Sequence, residues 1–193
     1  MPASPGGVAL YGATVEYGAH CLLMLVRPLE KPVSSRELAE LQGVSPPIVA
    51  KIFPKLEKAG LVISTDGISG GYRLARDPAD ISMLDVIDAI EGDRRLFDCK
   101  EVRQSCALFG GTPPSWVSGG VCGVHAVMLR AEKSMRAEMA RTSILDLAEG
   151  MYRKAPAEFG PDIGRWFQDR AVGRESSRIA AVRTSTRRRR ADD

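Results

Sequence analysis

Long apolar runs are absent from this chain. The longest, residues 21–26, is far shorter than the roughly 20 residues a membrane helix needs. The first residues, MPASPGGVALYGATVEYG, carry no basic stretch followed by an apolar one, so no secretory leader is read. Paired CxxC motifs are missing, which removes the spacing of a zinc ribbon. No nucleophile stands beside a base, no glycine-rich loop suits a phosphate, and no two acids are placed for proton transfer, so no enzyme is read. The expectation is a cytoplasmic protein with no membrane role. Its 193 residues, 44% hydrophobic and 26% charged, suit one ordinary domain with a tail.

The net charge of +3 is unevenly spread. From Arg174 onward seven arginines face Glu175, Asp192 and Asp193, a net of +4. Residues 27–76 are at +3 and residues 77–173 at −3. The high pI is therefore mostly a tail property, and the local excess over 27–76 says more about nucleic acid. Three of the four cysteines fall within 99–122, in a stretch of Gly, Pro and Ser with little apolar periodicity. Such a loop packs no core of its own. In a reducing compartment its thiols point to metal or redox chemistry rather than to disulfides.

Along the chain, residues 1–12 read as a flexible N-terminus. Over 14–26, Val15, Ala19, Leu22, Leu23, Leu25 and Val26 fit a mostly buried helix that Pro28 stops. Glu16 and His20, four apart, share one face of it. That is the spacing of a surface pair, and equally of a bidentate metal face. Ser34 or Ser35 then caps a short helix ended by Gly43, and Ser45 with Pro46 starts a second one that Gly60 ends. Two short helices around a glycine turn make a helix-turn-helix, whose second helix enters the major groove. LVISTDGISGGYRLARDP reads as strand, turn and strand, the wing of a winged helix. ISMLDVIDAIEGD is one more helix, capped by Ser82. After Cys122, Val124, Val127, Met128, Ala131, Met135 and Met139 recur at helical spacing over about 17 residues, with no partner left in so small a domain. A second copy of the chain is the natural cover, and two-fold symmetry suits a palindromic operator.

The expected fold is mainly α with a small β-hairpin wing, a winged helix-turn-helix followed by a long dimerisation helix. Its parts are the N-terminus 1–12, the DNA-binding domain 13–92, a cluster-binding loop 93–122, a dimerisation region 123–150 and a basic, disordered tail 151–193. Candidate contacts to double-stranded DNA in the helix-turn-helix are Ser35, Arg36, Ser45, Pro46, Lys51 and Lys55. In the wing they are Ser69, Gly70, Gly71, Tyr72 and Arg73. Two donor sets compete for a metal. One lies within the chain, Cys99, Cys106, Cys122 and His125, and suits zinc. The other joins Cys99 and Cys122 to Glu16 and His20 and suits an iron–sulfur cluster shared between subunits. Cys21 reads as a buried core thiol.

The strings VSSRELAELQGVSPPIVAKIFPKLEKAGLV, GISGGYRLAR and ISMLDVIDAIEG resemble the Rrf-two family of winged-helix regulators, the IscR and NsrR type, over about 15–148. The resemblance implies a homodimeric repressor or activator, commonly with an iron–sulfur cluster in this loop. Most relatives carry three closely spaced loop cysteines, whereas here the third is displaced to Cys122. VEYGAHC, FDCKEVRQ and the helix starting at Cys122 are similar to a redox-sensing branch with a 2Fe–2S cluster. That likeness implies Glu16, His20, Cys99 and Cys122 as ligands, the cysteines from the other subunit. It leaves Cys106 as a spare thiol and His125 as an ordinary helix residue. The function implied is a repressor switched by the redox state of the 2Fe–2S cluster. The alternatives are an iron or nitric-oxide sensor with a three-cysteine cluster, 4Fe–4S included, and a zinc-stabilised DNA-binding module. Pro54, inside the second reader helix, departs from the family and is expected to bend it.

Overall fold

Helix α1 (Ala13–Met24) is the pillar of the fold, with Val15, Ala19, Cys21, Leu22, Leu23 and Met24 all buried. A helix apolar on nearly every side must be covered on nearly every side, and three or more helices do so here. The computed structural model describes residues 9–67 and 70–189, with the backbone alone for Glu175 and 177–189. The expected flexible N-terminus falls largely on 1–8, outside the described residues, as do Ser69 of the wing and 190–193 of the tail.

Helix α2 (Ser35–Gln42) starts at Ser34, whose Oγ accepts from Glu37 N at 3.2 Å while Glu37 Oε2 accepts from Ser34 N at 2.8 Å. Such a cap contributes about 1 kcal/mol. Gly43 ends the helix in the left-handed region, φ 64°, where a Cβ would be strained. Helix α3 (Pro46–Lys58) follows, with Val49, Ile52, Phe53 and Leu56 buried. It runs on through Pro54, whose missing N–H leaves the carbonyl of Ala50 without its helical donor. Both residues are exposed, so the interruption falls on the solvent side.

Strand β1 (Val62–Thr65) pairs antiparallel with β2 (Gly71–Leu74), Ser64 opposite Tyr72. Tyr72 also bridges to Val33, with its N donating to Val33 O at 2.7 Å and its O accepting from Val33 N at 3.1 Å. The wing is thereby tied to the strand-like segment before α2. Helix α4 (Met83–Glu91) is capped by Ser82 with Asp85. The loop that follows holds two 3-10 turns, Val102–Ser105 and Ala107–Phe109, and the one-turn helix α5 (Ser115–Ser118).

Helix α6 (Gly123–Arg141) is the expected long helix, two residues longer than the 17 expected. None of its residues is buried, and Val124, Val127 and Leu129 stand exposed. Helix α7 (Ile144–Tyr152), expected within the dimerisation region, packs on the reader of its own chain. Its start pairs with the start of α4 through Met83 N to Thr142 O and Ile144 N to Ile81 O, each 2.8 Å, and Ile144 and Ala148 enter the core.

The disordered tail expected from 151 is instead helix α8 (Phe159–Arg189) over most of its length. Its apolar pattern is sparse, which is why the sequence reads as formless. Yet Ile163, Phe167 and Ala171 are four apart, fall on one face, and are buried. The face is closed by Arg27 stacked on the Tyr152 ring at 4.1 Å and Arg170 on the Trp166 ring at 3.9 Å. Among the described residues no helix is long and apolar enough to cross a membrane.

Candidate nucleic-acid interface and metal centre

The reader presents the outer face of α3. Ser45 occupies the N-cap but its hydroxyl makes no cap bond: Pro47 has no N–H to give, and the N–H of Ile48 donates to the Ser45 carbonyl at 3.0 Å. Ser45, Pro46 and Lys51 are exposed, and Lys51 makes no ion pair among the described residues. Ser35 is half-buried, and Arg36 is exposed with its Nε 3.1 Å from Glu40 Oε1.

Five other candidates make contacts within the chain. Lys55 Nζ donates to Ile90 O at 2.7 Å, closing the C-terminus of α4. Arg73 Nη2 donates to Glu30 O at 2.8 Å. The Tyr72 ring lies 4.7 Å from Phe53, and burial followed by the charge of Glu57 pushes its hydroxyl pKa up. A Cβ on Gly71 would sit 2.6 Å from the backbone of Val33, so this glycine permits the strand approach. Gly70 accepts from Arg174 Nη1 at 2.6 Å through its carbonyl.

The cysteine loop is held by a few polar ties. Arg103 Nη2 donates to Gly120 O at 2.6 Å and its Nε to Glu101 Oε2 at 3.0 Å, while Leu96 N donates to Glu132 Oε2 at 3.3 Å. Cys99, Cys106 and Cys122 are free and half-buried. Cys99 Sγ lies 3.7 Å from Glu101 Oε1, and the donor atoms of Cys99, Glu101 and His125 all fall within 4.8 Å of one another. Cys106 and Cys122 are not in that group.

Glu101 was not among the residues the sequence pointed to. It is the one non-glycine residue with positive φ (50°) among those described, and its carboxyl is held below the usual range chiefly by the hydrogen bond from Arg103. Left-handed backbone is uncommon for a non-glycine residue. The only hint in the sequence is a carboxylate two residues after Cys99.

Glu16 and His20 are exposed on α1 and line a groove of about 850 Å³ with Leu23, Met139, Leu147 and Met151. The groove is largely apolar and contains no cysteine. The chain therefore carries two partial donor sets, a Glu/His pair in a groove and thiols on a loop. Cys21, by contrast, is fully buried in α1, and burial pushes its thiol up to about 12, so it is a packing residue.

Helices α1, α3 and α6 are all tied to the last turn of α4. Ile90 O holds Lys55 of α3. Glu91 Oε1 accepts from Gly12 N and Thr14 Oγ1, each 3.2 Å, at the start of α1. Asp88 takes both guanidinium nitrogens of Arg136 on α6, at 3.1 and 2.7 Å. Beneath them a Cβ on Gly18 would lie 2.5 Å from Ile90 Cδ1 and 3.2 Å from Ile52 Cγ2, so α1, α3 and α4 touch with nothing between.

Known proteins agree with this architecture. Residues 11–150 match the family model Rrf2, described as an iron-dependent transcriptional regulator. Protein rrf2 of Nitratidesulfovibrio vulgaris is 31% identical over 132 residues, 68% of this chain and 81% of that one. The transcriptional regulator IscR of Vibrio atlanticus is 42% identical over 62 residues, 32% of this chain and 36% of its own. Among solved structures, T. potens IscR superposes with a TM-score of 0.55 at 27% identity, over 79% of this chain and 93% of that one. CymR, the global cysteine regulator of B. subtilis, superposes with a TM-score of 0.57 at 22% identity, over 74% and 98%, which speaks to the fold. With a capped helix-turn-helix, a wing behind it and the family's pattern across most of its length, the chain belongs to the Rrf2 family of DNA-binding transcription regulators and is not an enzyme.

Proposed function

We propose that the chain acts as a homodimeric repressor whose operator affinity is set by a 2Fe–2S cluster bound by Glu16 and His20 of one subunit and Cys99 and Cys122 of the other. One observation carries the reading: each donor set is incomplete within a chain. Glu16 and His20 face an apolar groove, and Cys122 opens an α6 whose apolar residues are uncovered. A second copy that laid its α6 along the groove would bury both surfaces and complete the set.

The donor chemistry suits the group. Two thiolates with two imidazoles hold a 2Fe–2S centre of the Rieske kind, and replacing thiolate by nitrogen raises its potential; here Glu16 would stand in place of one imidazole. The cluster would supply a one-electron change of charge. The chain's own residues do the rest. Any shift of α1 at Glu16 and His20 presses through Gly18 on Ile52 and Ile90, and pulls on Glu91 through Gly12 and Thr14. Ile90 holds Lys55, so α3 moves with the last turn of α4. Ser45–Lys51 then changes its fit to the major groove while the wing follows the backbone.

Anaerobic purification and a redox titration test this. The expected result is a visible spectrum with sulfide, a reversible one-electron step, and operator affinities that differ between the two states. A cluster without such a step refutes the redox switch and favours an iron or nitric-oxide sensor. A second reading rests on the cluster of Cys99, Glu101 and His125, which suits zinc held within one subunit. His20→Ala and His125→Ala separate the two. Loss of the visible spectrum in the first alone supports the shared site, and zinc without sulfide, lost in the second, supports the other.

A further inference from the structure

Helix α8 runs from the body of the domain to the edge where the duplex would lie. Near its start Gly160 packs against Arg27. Two turns later Gln168 Nε2 donates to Glu30 Oε2 at 3.2 Å. Arg170 Nε lies 3.5 Å from Glu40 Oε2. Arg174 then binds three segments at once, with Nη1 donating to Gly70 O at 2.6 Å, Nη2 to Pro32 O at 3.2 Å, and Nε 3.5 Å from Glu37 Oε1. Its side chain is 15% exposed, so this is a built anchor rather than a passing surface pair. It fixes α8 between the N-terminal turn of α2 and the turn end of the wing, both of which face the sugar–phosphate backbone when a winged helix docks.

Beyond the anchor α8 continues for fifteen residues to Arg189, about 22 Å of helix. That length carries Arg178, Arg183, Arg187, Arg188 and Arg189 against the single acid Glu175. A basic run alone says little, since it is usually a solvated face. Here its origin is fixed beside the wing. The two carboxylates of α2 nearest it, Glu37 and Glu40, already face Arg174 and Arg170, so phosphates would not meet their unpaired charge.

We propose that α8 beyond Arg174 is a second phosphate-binding surface, which extends the footprint of each reader along the duplex past the wing. The inference rests on the chain's being a DNA-binding regulator, and its partner is duplex backbone, not base edges. Arginines on phosphate add affinity without sequence preference and steepen the salt dependence by about 0.9 per phosphate contact.

The test substitutes Gln, and separately Lys, for Arg183, Arg187, Arg188 and Arg189 in the full chain. Binding is measured between 50 and 200 mM salt on a duplex selected from a random library and on its scrambled version. The Gln variant is expected to bind both duplexes at least about tenfold more weakly, with a salt slope shallower by about 2 or more and an unchanged ratio between them. The Lys variant is expected to keep the slope. An unchanged slope in the Gln variant overturns the proposal, as does tighter binding, which would mean that α8 shields the reader. Thermal melting verifies that the variants fold. If neither duplex is preferred even by the original chain, the operator-reading account fails, while the difference in slope still decides the role of α8.

Discussion

Residues 34–76 and 93–122 are both punctuated by glycine and proline, but use them differently. In the reader Gly43 ends α2 and Pro46 starts α3, while Pro54 lies inside α3 on its solvent side. Around them Leu38, Val49, Phe53 and Leu56 are almost wholly buried. In the loop Val117 alone of the large apolar side chains is buried, while Leu108 is 91% and Trp116 74% exposed. The first region holds its own shape through packing. The second is held by Arg103, Glu132 and a few turns, so its shape depends on what its thiols bind and what covers it. A sensor needs that inequality, because a segment with little stability of its own responds to a small change in ligation.

Several substitutions sharpen the contrast. Phe53→Ala is expected to cost about 3–5 kcal/mol in denaturant unfolding, because it opens a cavity under Tyr72 and the wing. Gly18→Val should cost about 1–3 kcal/mol from overpacking against Ile90 and Ile52. Because that contact joins α1 to α3, it should also alter the difference in operator affinity between oxidation states. Lys51→Gln should weaken operator binding and make the salt slope shallower by about 1, with stability unchanged, as measured by anisotropy titration. Smallest is Cys106→Ala, expected to leave stability within about 0.5 kcal/mol and the cluster spectrum unchanged.

Thiol alkylation of metal-free protein at pH 8 offers a direct comparison of the two regions. Cys99, Cys106 and Cys122 should react and Cys21 should not, because its thiol ionises only near 12. For the same reason Cys21 stabilises the fold fully below its ordinary value of 9.0, and that stability is lost as pH rises from there towards 12. Alkaline unfolding of Cys21→Ala should lack that component.

The helix-turn-helix, its caps and the wing were legible because each rests on local signals: Ser34 before Glu37, Gly43 after Gln42, Pro46 at a first turn, alternation across a Gly-rich turn. Glu16 and His20 were legible as a pair because four residues make one helical turn. Lys55, Arg73, Tyr72 and Gly71 were read as DNA contacts, but in the free chain they serve Ile90, Glu30, Phe53 and Val33. Those partners lie 19 to 43 positions away, and no local pattern announces them. The order of α8 was hidden for a like reason, since three apolar residues four apart make a helix only once a core is there to receive them.

The sequence by itself determined that this is a winged-helix regulator with thiols displaced downstream of its reader, because caps, periodicity and turns act over a few residues. Tertiary structure alone decided which charges are free to meet DNA, that Glu101 stands beside Cys99 and His125, and that α8 is anchored beside the wing. Those outcomes depend on which distant surfaces meet. That is settled when the apolar faces bury one another, and it leaves no mark at the spacing of a turn.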